Sequence, residues 1–189
     1  MVLTGNSNTI SAKSKITYIS FKEAHLPALL FVSNHLFGQD YYSAQDFIDM
    51  NEQSILRVAI MENSIVGFFV VKVKTKSEAN YLDELSSDNI LEVKTIGVHP
   101  DFQRRGIGTH IFSEVVRLST ELNVSECYCV AWDRKGVVAM HQIHIYAGFK
   151  IIKKISNYWK EDSIQKGYNC PDCGNPCVCN VVIYVKEVN

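Results

Sequence analysis

Twelve residues, Val98-His99-Pro100-Asp101-Phe102-Gln103-Arg104-Arg105-Gly106-Ile107-Gly108-Thr109, constrain this chain more than any others. A β-type run from Ile90 leads into them. A periodic segment leaves them, with apolar residues at Ile107, Ile111, Val115, Leu118 and Leu122. Intervals of four, four, three and four put those side chains on one helical face. The chain therefore passes from a strand through a tight glycine-containing turn into a helix N-terminus. Such a junction aims unpaired backbone N–H groups in one direction, and the helix dipole adds to their attraction for an anion. Arg104 and Arg105 bring positive charge to the same place. The segment reads as a phosphate cradle.

The kind of phosphate ligand narrows by elimination. No Gly-x-x-x-x-Gly-Lys-Ser/Thr run exists in the chain, and Gly106-Ile107-Gly108-Thr109-His110-Ile111 lacks the third glycine of a dinucleotide fingerprint. What stands is Gln103-x-x-Gly106-x-Gly108 after a strand ending Val-x-Pro. This resembles the acetyl-CoA signature Gln/Arg-x-x-Gly-x-Gly/Ala of the GNAT acetyltransferase superfamily. A side chain at either glycine would hold a pyrophosphate off the backbone. The resemblance implies an N-acetyltransferase with acetyl-CoA as cosubstrate. Gln103, Arg104, Arg105, Gly106, Ile107, Gly108 and Thr109 would hold the pyrophosphate, and the strand end from Ile96 to Val98 would meet the pantetheine arm.

Size and composition agree. A chain of 189 residues that is 47% hydrophobic supports one domain with a proper core. Its formal net charge is −1, and no basic run exceeds the pairs Arg104-Arg105 and Lys153-Lys154, which argues against a nucleic-acid surface. The apolar stretches from Leu26 to Val32 and Ile65 to Val71 are far too short for a membrane span. Residues 1–15 read as a flexible polar tail and 16–189 as a single domain. Met1 to Ser14 lacks the apolar centre of a signal peptide, so a cytoplasmic location is expected. Six cysteines, four of them close together, suit reduced thiols or a metal there better than a disulfide framework.

The order of elements follows from periodicity and punctuation. Ile16 to Phe21 reads as a strand. A helix runs from about Ala24 to Phe37, with Pro27 in its first turn and Gly38 ending it. Ser43 caps a second helix through Met50. Ile55 to Met61 and Ile65 to Lys74 form a hairpin, Tyr81 to Asn89 a loop, and Ile90 to Val98 the strand before the cradle. After the periodic helix come a strand from Glu126 to Trp132, a helix from Val137 to Tyr146 and strands at Phe149 to Ile155 and Val181 to Val185. This β-α-α-β-β-β-α-β-α-β-β order predicts an α/β mixed sheet flanked by helices. It is also the element order of the GNAT fold, over roughly residues 16 to 186.

In the family this chain resembles, an amine attacks the thioester carbonyl directly. A group must take the amine's proton and another must return one to the leaving thiolate. The resemblance places the proton donor by the pattern Asn-x-x-Ala-x-x-x-Tyr-x-x-x-Gly-Phe. Counting back from Gly148-Phe149, the tyrosine position holds His144, the alanine Met140 and the asparagine Val137, three departures. His144 is the expected donor, since an unperturbed imidazole titrates near neutrality, and Tyr146 is the alternative. For His144 the competing role is simple packing. Glu92 is the candidate base, with the same strand parity as Lys94, Ile96 and Val98; a solvated carboxylate is the plain alternative. His99 would cap the cradle, and Tyr42 and Asp46 would shape the acceptor pocket.

A second feature is Cys170-Pro-Asp-Cys173-Gly-Asn-Pro-Cys177-Val-Cys179. Cys-Pro-x-Cys-Gly has the form of a zinc knuckle, and the second pair would close a four-thiolate site for structural zinc. His141 could replace one sulfur. A reduced loop, an opportunistic disulfide or an iron–sulfur cluster are the other readings. Lying before the last strand, the loop at 170–179 would rigidify Trp159 to Gly167 beside the acceptor pocket. Cys127 and Cys129 read as core.

Two other function classes are consistent with these residues. The fold could hold acyl-CoA without turning it over, or the cysteine loop could dock a macromolecular partner. The expected partner is a small-molecule or peptide amine, and a homodimer is compatible with the family resemblance.

Overall fold

The computed structural model describes residues 15–79, 82–85 and 87–188; the expected tail at 1–14 and part of the expected loop at 81–89 lie outside them. In chain order the elements are β1 (Thr17–Ser20), α1 (Leu26–Phe37), α2 (Ala44–Gln53), β2 (Ile55–Met61), β3 (Ser64–Lys74), β4 (Ile90–Val98), α3 (Ile107–Glu121), β5 (Glu126–Asp133), α4 (His141–Tyr146), β6 (Lys150–Ile155), α5 (Lys160–Lys166) and β7 (Asn180–Glu187). The seven strands form one mixed sheet in the order β1-β2-β3-β4-β5-β7-β6. Every neighbouring pair is antiparallel except β4 and β5. Among the described residues no helix is long and apolar enough to cross a membrane.

Helix α3 has the predicted stripe. Ile107, Ile111 and Val115 are buried against Phe69, Leu91 and Val93 of the sheet, and Leu118 and Leu122 continue the stripe half-buried. Fully burying a side chain such as Ile111 contributes roughly 2 kcal/mol. Helices α1 and α2 cover the opposite face, where Leu29, Val32 and Phe47 pack on Leu56, Val58 and Phe68.

Two sequence expectations change. The helix expected from Val137 starts at His141, because Val137 turns back to pair with Arg134, N–H to carbonyl both ways at 2.9 and 3.0 Å. The segment Lys160–Lys166 is helical and ends at Gly167.

The β4–β5 junction matters most for the site. The two strands pair only from Ile90–Glu126 to Val93–Cys129. Beyond Val93 the partner of β5 is β7 alone, so the sheet opens between the C-terminal halves of β4 and β5. A bulge starts the opening: Val70 pairs with Thr95 and Val71 with Val93, leaving Lys94 as the extra residue.

Candidate functional site

The open seam leads from the N-terminus of α3 into a cavity of about 560 Å³. At one end lie Gln103, Arg104, Gly106, Gly108 and Thr109. The chain reaches α3 through two left-handed residues, Arg104 at φ 58° and Gly106 at φ 81°. The first α-helical bond in α3 runs from the His110 N–H to the Gly106 carbonyl at 3.0 Å. The N–H groups of Ile107, Gly108 and Thr109 come before it and have no intrahelical acceptor. A Cβ on Gly106 would meet nothing within 4 Å. That space is open to a ligand, and the backbone conformation there penalises any residue but glycine. Gly108 has a different role: a Cβ there would touch Ile143 Cδ1 at 3.4 Å, an ordinary contact.

Not every cradle residue faces the cavity. The Ile107 side chain is buried in the core, so only its backbone can serve a ligand. Arg105 extends across the Phe102 ring, 5.3 Å from its centroid, and is outside the cavity lining, which includes Arg104. Gln103 ties the turn to the strand end, its Nε2 donating to the Val98 carbonyl at 3.2 Å. His99 caps the turn Pro100–Phe102 that opens the cradle segment. Its Nδ1 accepts from the Asp101 N–H at 3.3 Å and its ring stacks on Phe31 at 5.1 Å.

Ile96 and Val98 line the cavity on the same face as the α3 core. Glu92 does not accompany them. The bulge at Lys94 shifts side-chain parity by one, so Leu91 and Val93 share the α3 face with Ile96, and Glu92 points to the other. It is 9% exposed and paired with Lys74 at 2.9 Å, away from the cavity. The expectation of a strand base fails because a bulge is not visible in residue spacing.

His144 lines the cavity and is 4% exposed. Its Nδ1 lies 2.8 Å from the Met140 carbonyl, which requires a proton on Nδ1 and leaves Nε2 as the acceptor. Phe112 meets the ring edge-on at 4.8 Å. Burial lowers its pKa from the ordinary 6.5 to about 4, against the expectation of near-neutral titration. At pH 7 the ring is neutral. Tyr146 is 87% exposed and does not touch the cavity, which corrects its place among the candidate donors.

The far end of the cavity is aromatic. Phe37, Tyr41, Tyr42, Trp132 and Trp159 line it together with Arg134. Phe37 and Tyr41 both stack on Trp132, at 6.4 and 6.3 Å. The Tyr42 hydroxyl and Thr95 Oγ1 are 2.7 Å apart, joining the α1–α2 connection to β4 just past the bulge. Burial raises the pKa of Tyr41 and of Tyr42, so both are neutral phenols. Asp46 is not in this pocket. It accepts from the Ser43 N–H at 2.7 Å in a capping box that starts α2. Trp159 opens the Trp159–Gly167 segment expected beside this pocket; Trp132 and Arg134 were not singled out in the sequence. The one available signal was the end of β5 running into the Arg134–Gly136 turn next to the seam.

Beside this wall the sulfurs of Cys170, Cys173, Cys177 and Cys179 all lie within 4.8 Å of one another, and none is in a disulfide. The knuckle is formed: Cys170 and Gly174 exchange backbone hydrogen bonds at 3.2 and 2.9 Å. The N–H groups of Asp172 and Val178 point at Cys170 and Cys173 Sγ, at 3.4 and 3.3 Å. His141 is not a ligand here. Its Nδ1 is 2.7 Å from the Tyr184 hydroxyl. Cys127 and Cys129 are buried in the core, as read from the sequence, and burial pushes the Cys127 thiol up to about 12.

Known proteins fit this geometry. No curated protein matches the sequence. Among solved structures, Arabidopsis thaliana NAA60 in complex with acetyl-CoA superposes with a TM-score of 0.74 at 16% identity, over 93% of this chain and 99% of that one. Ard1 from Thermoplasma volcanium gives 0.68 at 16%, over 92% and 98%. The ribosomal-protein-S18-alanine N-acetyltransferase of Escherichia coli gives 0.67 at 17%, over 93% and 95%. At these identities the likeness is one of fold. The sequence profile of the Acetyltransferase (GNAT) family matches residues 20–146, from the end of β1 to the end of α4, and so takes in the cradle, the bulged strand and the seam. With its characteristic turn, its opened β4–β5 pair and this match over most of its length, the chain belongs to the GNAT acetyltransferase family.

Proposed function

We propose that the protein transfers the acetyl group of acetyl-CoA to a primary amine of a small molecule or peptide, by direct attack. One observation carries this reading. A single cavity connects the free N–H groups of α3 with an aromatic chamber, through the seam where β4 and β5 part. A long cosubstrate with an anionic end and a reactive far end fits that path. The pyrophosphate would lie on the N–H groups of Ile107, Gly108 and Thr109, with Arg104 beside it. The pantetheine arm would run along the edge of β4 at Ile96–Val98, whose groups facing β5 have no strand partner. Acetyl-CoA held by Arabidopsis NAA60, a protein of the same fold, supports the choice of cosubstrate.

In the reaction the amine lone pair forms the new C–N bond, the C–S bond breaks, and the proton lost by nitrogen goes to sulfur. A neutral His144 cannot act as a standing acid. Its free Nε2 acts as a relay, gaining the proton from the amine and passing it to the thiolate. The aromatic chamber takes the acceptor, so its side chains and Arg134 set specificity. Residues 16–189 act as one domain, since a single sheet takes strands from Thr17 to Glu187.

A second reading is favoured by one observation. The low pKa of His144, with the family pattern lost at Val137 and Met140, fits a protein that binds acyl-CoA without turnover. The test is release of free CoA thiol from acetyl-CoA on adding a panel of amines and peptide N-termini. Amine-dependent release supports the transferase. Tight acetyl-CoA binding with no release for any amine supports the binding protein.

A further inference from the structure

We infer that Cys170, Cys173, Cys177 and Cys179 bind one Zn²⁺, and that this centre holds the acceptor wall of the cavity in place. The metal assignment stands on geometry alone; the role given to the centre rests on the acetyltransfer reading above.

A tetrahedral Zn–S₄ centre with bonds of about 2.3 Å has its sulfurs about 3.8 Å apart. The sulfurs here are separated by 3.8 Å for Cys170–Cys179, 3.7 Å for Cys173–Cys177 and 3.6 Å for Cys173–Cys179. A disulfide would need about 2.05 Å. The N–H groups aimed at Cys170 and Cys173 suit thiolates, since such donors offset negative charge on sulfur. Three of the four cysteines are buried, with Trp132 and Trp159 packed around them, and the fourth, Cys173, is half-buried. Four protein ligands and no open position describe a structural zinc rather than a catalytic one.

The loop is attached to the cavity wall at several points. The Cys177 N–H donates to Ser163 Oγ at 2.8 Å, and Asn175 Nδ2 donates to the Ser163 carbonyl at 2.8 Å, which fixes α5 to the loop. Trp159 immediately precedes α5 and touches both the sulfurs and the cavity. Asp172 pairs with Arg134 at 3.1 Å, and Arg134 lies over the Trp132 ring at 4.2 Å and donates to the Leu36 carbonyl at the end of α1. Gly38 packs so closely on the loop that a Cβ would lie 2.4 Å from the Asn169 carbonyl oxygen. The short loop has few apolar side chains of its own, and a metal supplies what a core would. Removing it frees Trp159, Arg134 and the α1–α2 connection together. The cradle, on the other side of the cavity, is untouched.

The test begins with the metal content of the full chain purified from zinc-replete cells, then reconstitution with Co²⁺. The expected result is one zinc per chain and, with cobalt, thiolate-to-metal absorption and the strong visible bands of a tetrahedral site. Cys173→Ser, at the most exposed ligand, should lose both. Stripping zinc with a chelator should lower the melting temperature by on the order of 5–10 °C. It should also raise the acceptor KM about tenfold while the acetyl-CoA Kd moves less than about twofold. A metal-free chain, stoichiometric iron in place of zinc, or a melting temperature unchanged on stripping would overturn the centre. Equal loss of acetyl-CoA affinity and acceptor saturation would overturn its role at the acceptor wall. Metal content and melting need no turnover, so they decide the zinc even if no amine is acetylated.

Discussion

The imidazole of His144 lies flat against the ring of Tyr184, with centroids 4.2 Å apart and planes 15° from parallel. This stack, with Phe112 at the edge, excludes water from the ring and keeps it neutral. The unfolded chain binds a proton at His144 near pH 6.5, and the folded chain only near pH 4. Its contribution to stability is therefore fully present above pH 6.5 and is lost progressively as the pH falls toward 4. Between about pH 7.5 and 4.5 the loss is roughly 2–3 kcal/mol. His144→Phe keeps the stack and removes the titration, so urea denaturation should show that much less acid sensitivity. An unchanged acid slope in the variant would place the titrating group elsewhere.

The two arginines of the cradle should separate. Arg104 lines the cavity, whereas Arg105 lies over Phe102 outside it. Arg104→Glu should weaken acetyl-CoA binding about tenfold or more, and Arg105→Glu only a few-fold, through long-range charge. Equal effects would mean that both reach the ligand. Gly108→Ala should fold and melt as the parent does, because its Cβ meets only ordinary contacts.

Glu92 is a structural carboxylate in this account. Glu92→Gln should cost about 1 kcal/mol of stability through the lost charge of the Lys74 pair. The pH profile of kcat should keep its shape. A lost alkaline or acidic limb would return Glu92 to the role of base.

Arg134 connects the acceptor wall to Asp172 and to the end of α1. Arg134→Ala should raise the acceptor KM by about tenfold and leave acetyl-CoA affinity within about twofold. Steady-state kinetics with both substrates varied would check this. A matching rise in the acetyl-CoA KM would contradict the division of the cavity into two ends.

What could be read from the sequence depended on how local the cause was. The α3 stripe from Ile107 to Leu122 and the turn at Gly106 depend on spacing and backbone freedom within a few residues, and both are in the structure as read. Glu92 was misjudged because parity counts alternate residues, and the bulge at Lys94 depends on pairing with β3. His144 has an ordinary imidazole pKa until Tyr184, forty residues away, covers it. Asp46 sits in a sequence, Ser43-Ala44-Gln45-Asp46, that spells a capping box, and the local signal was the better guide than its closeness to Tyr42. The aromatic wall combines residues from α1, the α1–α2 connection, β5 and the approach to α5, so no window of the chain contains it.

The most direct measurement is calorimetric titration of the full chain with acetyl-CoA, alongside Gly106→Val. A valine there would fill the open space over the α3 N-terminus and strain a backbone held at φ 81°. The account predicts micromolar binding by the parent chain and loss of at least about a hundredfold in affinity in the variant, with circular dichroism of the two unchanged. Equal binding by both proteins would contradict the cradle, since the ligand would then not rest on that turn.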